Sequence, residues 1–395
     1  MFLRFLSTKR EVRIGALWDK CFGFIGFLAA ALVAVSPSAA VGDQARARSG
    51  TKTDEPADYR SSARVFATEV AGRHGFDPVA LAALMDRARY RQDVIDAMRR
   101  PHEGKPWADY RPIFLTQARI AGGVAFWQAQ ADILRRAEQE YGVPPEVVVA
   151  IVGVETSYGG NLGKHRVLDA LSTLGFAYPP RADFFRGELE QFLLLTRDEA
   201  IDPLRVTGSY AGAVGKPQFI PSSYREFAVD FDGDGRRDLW HSDADVIGSV
   251  ANYLQRHGWR PGEEVALPAT LAEGSDAALA EAGVELAEKR PVKPETAAAL
   301  LTTAGVSTTA PLDLDAAVTL LRLDAKGDGI KGGGSDSATD GNARSSQDEY
   351  WVALENFYVL TRYNRSNLYA MAVYQLGREI KALYLAREPR QAAAQ

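Results

Sequence analysis

The sequence predicts a mainly α protein, a helical core interrupted by a small mixed α/β domain. Three observations carry that reading. Apolar residues recur at helical spacing over most of residues 62–257 and 366–385. Strand-like runs are confined to the stretch 262–349. Composition is ordinary for globular chains, with 46% hydrophobic and 25% charged residues, 35 Gly and 19 Pro among 395.

The first 40 residues read as an export signal. Arg4, Lys9, Arg10, Arg13 and Lys20 precede an apolar run from Phe22 to Val35, followed by Ser36-Pro-Ser-Ala-Ala40. A bilayer span needs about 20 apolar residues, so cleavage after Ala40 is preferred over an uncleaved membrane anchor. The lone cysteine, Cys21, lies before the apolar run and cannot carry a lipoprotein lipid. Cleavage leaves no cysteine, which suits an oxidising compartment. Net charge is −5, and −8 once the five basic and two acidic residues of 1–40 are gone. That balance argues against nucleic acid as a partner.

Residues 41–57 are small and polar, a flexible lead-in. An N-terminal helical region follows at 58–114, where Asp77-Pro78 gives an N-cap and a first-turn proline. The core is expected at 115–261 and 350–386. Within it one amphipathic helix is expected over 120–141, ended by Gly142. Pro144-Pro145 opens a helix in which Val147, Val148, Ile151, Val152 and Val154 leave no polar face, so it should be buried. Further helices are expected at 166–175, 183–196, 222–229, 243–257 and 366–385. The inserted domain, 262–349, offers strands at Val265, Ala266 and Leu267 and at 317–323, and a helix near 294–304. It ends in a Gly, Ser and Asp-rich disordered loop, 332–346, after which the helical pattern resumes at Glu349. Residues 387–395 read as a flexible tail.

Glu155 stands out. It lies four residues after Ile151 and seven after Val148, on one face of an apolar helix. A carboxyl group withdrawn from water holds its proton more tightly. It can then act as a general acid, as glycoside cleavage requires. Spacing alone equally allows an exposed helix-end carboxylate paired with Lys164 or Arg166.

Several blocks in order resemble the membrane-bound lytic murein transglycosylase B family. They are Gly142-Val-Pro-Pro-Glu-Val-Val-Val-Ala-Ile-Val-Gly-Val-Glu155-Thr-Ser-Tyr-Gly-Gly, Lys164-His-Arg-Val-Leu-Asp-Ala-Leu-Ser-Thr-Leu174 and Tyr178-Pro-Pro-Arg-Ala-Asp-Phe-Phe185. Gly208-Ser-Tyr-Ala-Gly-Ala-Val-Gly-Lys-Pro-Gln-Phe-Ile-Pro-Ser-Ser-Tyr224 follows, then Asn356-Phe-Tyr-Val-Leu-Thr-Arg-Tyr-Asn-Arg-Ser-Asn-Leu-Tyr-Ala-Met-Ala372. The resemblance covers roughly residues 60–260 and 350–385.

It implies a lysozyme-like core and cleavage of the β-1,4 bond between N-acetylmuramic acid and N-acetylglucosamine in peptidoglycan. Water takes no part. One glutamate, Glu155 here, is acid and then base, and the C6 hydroxyl closes on C1 to give a 1,6-anhydromuramoyl end. No second catalytic carboxylate at roughly 5–9.5 Å is then required. The resemblance carries over Ser209, Gln218, Tyr110, Arg181, Tyr253, Tyr363, Asn364 and Tyr369 as substrate-binding residues. It departs from the family at Pro180, where a second arginine stands, and at Phe184, where a tyrosine does. It also implies periplasmic action on glycan strands as a monomer, with cell-wall synthesis proteins open as partners.

The segment Asp230-Phe-Asp-Gly-Asp-Gly-Arg-Arg-Asp238 fits the start of an EF-hand loop. Asp230, Asp232 and Asp234 supply carboxylates, and Arg236 its backbone carbonyl. Position 12 is His241, so the last ligand of a lengthened loop is assigned to Asp245, with Asp243 as rival. A structural Ca2+ is expected, with no cofactor for catalysis. Two other functions compete: a hydrolytic muramidase using Asp183 or Glu188 to activate water, and a non-catalytic peptidoglycan-binding protein. The run Gly159-Gly-Asn-Leu-Gly-Lys-His165 is one residue short for a phosphate loop and lacks its Ser or Thr. No zinc-type His pairing and no Gly-x-Ser-x-Gly elbow occurs.

Overall fold

A computed structural model describes residues 55–99, 105–325 and 348–392. The signal-type segment 1–40 and the 332–346 stretch lie outside the described residues, as does most of the lead-in 41–57. Among the described residues no helix is long and apolar enough to cross a membrane.

The N-terminal helices are α1 (Tyr59–His74), α2 (Pro78–Met85), α3 (Gln92–Met98) and α4 (Trp107–Phe114). Asp77 caps α2 as its sequence predicts, its carboxylate accepting the Ala80 amide at 2.7 Å. The single helix expected over 120–141 is two, α5 (Gln117–Ala129) and α6 (Ala131–Tyr141). The break is at Gln130, whose φ of −115° leaves the helical range and whose side-chain amide donates to Asp243 at 3.0 Å. Tertiary packing overrides the continuous apolar period. α5 lies against the C-terminal helix, whereas α6 turns to lie against the helix that starts at Asp243.

Helix α7 (Pro145–Thr156) is the axis of the core. Every residue from Val147 to Thr156 is buried, because α5, α6, α11 (Asp243–Arg256) and α15 (Asn367–Ala392) surround it. Gly377 of α15 lets the backbones touch: a Cβ there would stand 2.9 Å from the Glu146 carbonyl oxygen. Beyond α7 come a two-residue strand β1 (His165–Arg166), α8 (Val167–Ala177), a 3-10 turn at Pro179–Arg181, and α9 (Ala182–Asp198). The strand β2 (Thr207–Gly208) pairs antiparallel with β1, and α10 (Pro221–Phe227) leads into the acidic loop before α11.

The insertion is a five-stranded antiparallel sheet in the order β4 (Thr296–Ala297), β6 (Ala317–Leu323), β7 (Glu349–Ala353), β3 (Ala266–Leu271), β5 (Val306–Thr308). It carries two short helices, α12 (Ser275–Glu281) and α13 (Ala298–Thr303). Its central strands, β6 and β7, bury residues on both faces. Leu320 and Val352 join Leu279 and Leu301 in a small separate core, while Leu321, Trp351 and Ala353 face the main core. This explains one failed expectation. The helical pattern does not resume at Glu349: residues 349–353 form β7, at the centre of the sheet, and the next helix, α14 (Glu355–Tyr363), starts later. A short apolar run buried on both sides has no alternation to mark it as a strand. The second departure is the tail, since α15 continues to Ala392.

Candidate active site

Glu155 sits in the last turn of α7 and is only 7% exposed. Its Oε1 accepts a 2.7 Å hydrogen bond from the Tyr369 hydroxyl on α15. Burial pushes its pKa up to about 8, against the opposing effect of that bond. Of the two partners that spacing offered, Arg166 is engaged elsewhere, donating to Asp169 and to the Arg87 carbonyl. No carboxylate among the described residues contributes to the shift.

The helix ends abruptly behind Glu155. Ser157 and Tyr158 both adopt positive φ, 51° and 62°, and their amides close on Gly153 and Val152. Gln218, at 51°, and Ala200, at 53°, are the other two non-glycine residues at positive φ among the described residues. Left-handed backbone at such residues costs about 1 kcal/mol each, and strain of this kind gathers at functional sites. Thr156 fixes the arrangement: its hydroxyl donates to the Lys216 carbonyl at 2.8 Å and accepts the Gly159 amide at 3.1 Å. The turn carrying Gln218 is thereby tied to the residue after Glu155.

Tyr363, at the end of α14, lies parallel to Tyr369 with ring centroids 6.3 Å apart, and its hydroxyl donates to the Pro217 carbonyl at 2.7 Å. Tyr253 of α11 meets Tyr363 edge-on at 4.9 Å and donates to the Arg362 carbonyl at 2.6 Å. Burial, reinforced by the Glu155 charge, holds the Tyr363 and Tyr369 phenols well above the usual tyrosine range. Both remain protonated donors. Asn364 is 4% exposed, and among the described residues neither atom of its amide has a partner. A buried amide so left is costly, and a ligand is a common reason for one.

Ser209 follows β2. Its Oγ accepts the Ala211 and Ala213 amides at 3.3 and 3.0 Å, so it braces a turn and caps no helix. Gln218 donates to the Gly215 carbonyl at 2.9 Å and reaches the Leu162 carbonyl at 3.5 Å. Tyr110 has no exposed surface; it stacks on Trp107 and is among the groups that raise the Tyr369 pKa. Arg181 lies over Phe184 and Phe185, with centroid distances of 4.4 and 5.4 Å, and desolvation brings its pKa down to about 10. Phe184, the departure from the family pattern, is thus the face on which this guanidinium rests. Sequence reasoning missed Phe219, which packs on both Tyr253 and Tyr363, and His257, stacked 4.0 Å from Tyr253. Burial brings the His257 pKa down to about 4. Nothing in their spacing marks either residue.

The 159–163 turn and the hairpin leave no spare room. At Gly163, φ is +87° and a Cβ would lie 2.1 Å from the Gly208 carbonyl oxygen. Gly163→Ala should therefore displace the backbone beside Ser209 and destabilise the protein by at least about 2 kcal/mol, measurable by urea denaturation.

The acidic loop brings Asp230, Asp232 and Asp245 together, with one oxygen from each within 4.8 Å of the others. Asp245, 1% exposed, also accepts the amides of Phe231, Asp232 and Asp238. Asp243 turns away to Lys216 and Gln130. Asp234 is outside the trio and accepts the Arg236 amide at 2.8 Å. His241 is exposed and paired with Asp238. Three converging carboxylates suit a hard, oxygen-seeking cation such as Ca2+. The loop also touches the site. Next to Asp238, the Leu239 carbonyl accepts the Lys216 amide at 2.8 Å, and Lys216 accepts from Thr156.

Comparison with known proteins identifies the family and the fold. The family described as "Transglycosylase SLT domain" matches residues 58–378. The chain is 42% identical over 329 residues to membrane-bound lytic murein transglycosylase B of Escherichia coli K12, covering 81% of this chain and 82% of the relative. The crystal structure of soluble lytic transglycosylase SltB1 from Pseudomonas aeruginosa superposes with a TM-score of 0.71 at 46% identity, covering 82% of this chain and 99% of that one. Escherichia coli lytic transglycosylase Slt35 in complex with calcium gives 0.69 at 41% identity, covering 82% and 93%. With its lysozyme-like helical core and a match over most of its length, the chain belongs to the transglycosylase SLT domain family.

Proposed function

We propose that Glu155 performs both proton transfers of the reaction. The enzyme is a lytic transglycosylase of peptidoglycan. Glu155, protonated in its buried pocket, gives its proton to the glycosidic oxygen as the C1–O bond breaks. Charge developing at C1 is met by the substrate's own 2-acetamido oxygen. The Glu155 carboxylate then takes the proton of the C6 hydroxyl as O6 bonds to C1. One carboxyl group ends as it began, and no water is consumed. The closing hydroxyl belongs to the same sugar, so positioning supplies much of the rate.

The observation that carries this reading is a carboxyl only 7% exposed whose hydrogen bond, among the described residues, comes from a tyrosine, a setting in which burial raises the pKa. Ser209, Gln218 and Asn364 offer polar atoms for the acetamido and hydroxyl groups. Tyr253 and Tyr363 frame the sugar, and Arg181 faces stem carboxylates. A hydrolytic muramidase would need a second free carboxylate. Glu188 is buried and holds the Ser222 amide and hydroxyl at 3.0 and 2.7 Å, and Asp183 is exposed and paired with Arg186. Mass spectrometry of digested sacculi tests the proposal: anhydromuramoyl ends are expected, and reducing ends would overturn it.

The Tyr369 bond favours the ionised form of Glu155. Tyr369→Phe should therefore raise the pKa further and move the alkaline fall of the pH–rate profile upward. The rate should drop about tenfold, because the carboxylate formed in the first step loses its donor. Localisation follows from the substrate and from the signal-type segment at 1–40, which support export to the periplasm. The Asp230, Asp232 and Asp245 oxygens, with Asp234 and the Arg236 carbonyl, would hold a structural Ca2+.

A further inference from the structure

We propose that a cavity beside the β1–β2 hairpin is a subsite for the peptide stems of peptidoglycan, reading their carboxylates through Arg205 and Arg236. The proposal rests on the lytic transglycosylase reading and adds, beyond Arg181, a second place at which the part of the substrate that is not sugar is held.

The cavity has a volume of about 570 Å³, within the usual range for small-ligand sites. Leu162, Arg205, Thr207, Arg236 and Trp240 are among its walls. It adjoins the candidate active site through shared chain. The Leu162 carbonyl is reached by the Gln218 amide, and Thr207 is two residues before Ser209. A stem attached to a muramic acid held at Ser209 and Gln218 reaches about 3.5 Å per extended residue, and the cavity is walled by the same hairpin and by Leu162, which Gln218 contacts.

The chemistry of the walls selects a peptide. Among the described residues the guanidinium groups of Arg205 and Arg236 have no hydrogen bond or ion pair, and both side chains are exposed to the cavity. Arg237, also in the wall, is different, since Glu199 takes it as a partner. Two uncommitted guanidinium groups are wasted on a neutral glycan but match carboxylates. A polyphosphate or nucleic acid fits poorly, because Asp202, Glu199 and Asp238 line the same cavity. A stem carrying γ-D-glutamate and diaminopimelate brings several carboxylates and one ammonium group, and so suits a wall of mixed sign. Asp202 uses one oxygen on the Leu204 amide and can offer the other to the ammonium group. Trp240 is held against Tyr224, ring centroids 5.6 Å apart, and gives the peptide backbone a fixed apolar face.

The test compares two substrates and one binding probe. Wild type and Arg205→Glu are assayed for kcat/KM on peptide-bearing glycan and on glycan stripped of peptides by an amidase. The expected result is a loss of about tenfold on the first substrate, with rates on the second within twofold. Equal loss on both, or no loss on either, would overturn the subsite. Arg205→Gln, which removes the charge without reversing it, should show the same selectivity to a smaller degree. Separately, free N-acetyl-L-Ala-γ-D-Glu-diaminopimelate is titrated into Glu155→Gln protein while the Trp240 indole signal is followed by NMR. A saturable shift that Arg205→Glu abolishes supports the proposal; no shift counts against it. This arm needs no turnover, so failure of the transglycosylase reading and failure of the subsite are told apart.

Discussion

Glu155→Gln is expected to stop release of anhydromuropeptides from sacculi while leaving glycan binding in place. General acid–base catalysis by one group is worth roughly 10²–10⁴-fold. Here one carboxyl serves both steps, so the loss should reach about 10³-fold or more. Glutamine keeps the shape and the Tyr369 contact but has no proton to give. The wild-type profile should fall as pH rises through about 8, where the acid form of Glu155 is lost. The same group sets a stability signature. Below the ordinary glutamate range both folded and unfolded chains hold the proton, and pH has no effect through this group. Above that range the unfolded chain releases it while the folded chain retains it up to about 8. The folded state then binds more protons, and stability declines with rising pH across that window. Glu155→Gln should flatten the decline and raise Tm at neutral pH, so catalysis is lost as stability is gained. A variant that releases anhydro ends at the wild-type rate would remove Glu155 from the mechanism.

How far the sequence reached differs from element to element. The burial of α7 was legible because an unbroken apolar run with a proline at its first turn admits little else. The environment of Glu155 was not. Its partner among the described residues, Tyr369, is 214 residues away, and spacing fits an exposed glutamate equally well. The choice between Asp243 and Asp245 was also beyond the residue pattern. Both lie in the first turn of α11, and only the packed structure sends one to Lys216 and the other into the loop. The strand at 349–353 was missed because both its faces are buried. Gln130 was missed because a side-chain bond to a distant helix interrupts a continuous helical period. Local pattern gives burial; which groups meet across the core depends on contacts it does not encode.

The acidic loop gives the second large effect. Asp245→Ala removes the acceptor for three backbone amides, of Phe231, Asp232 and Asp238, and one oxygen of the carboxylate trio. Phe231 is itself buried, so its amide would find no water. Leaving such groups unpaired costs about 1–3 kcal/mol each, so a loss on the order of 4 kcal/mol is expected. Calcium should act on top of this. A ligand at a hundred times its Kd adds about 2.7 kcal/mol to the folded state, which for a chain of this size is several degrees in Tm. Wild type should therefore melt higher in CaCl2 than in EGTA, and Asp245→Ala should melt low in both. Asp243→Ala provides the contrast: it breaks the pair with Lys216 but leaves the trio whole, so its calcium response should persist. If Asp243→Ala loses the response and Asp245→Ala keeps it, the ligand assignment is reversed. Activity should fall less than stability in Asp245→Ala, because among the described residues the loop reaches Thr156 through Lys216, by the Leu239 carbonyl and by the Asp243 pair, neither of which involves Asp245. That path holds the Gln218 turn in place and touches no reacting atom.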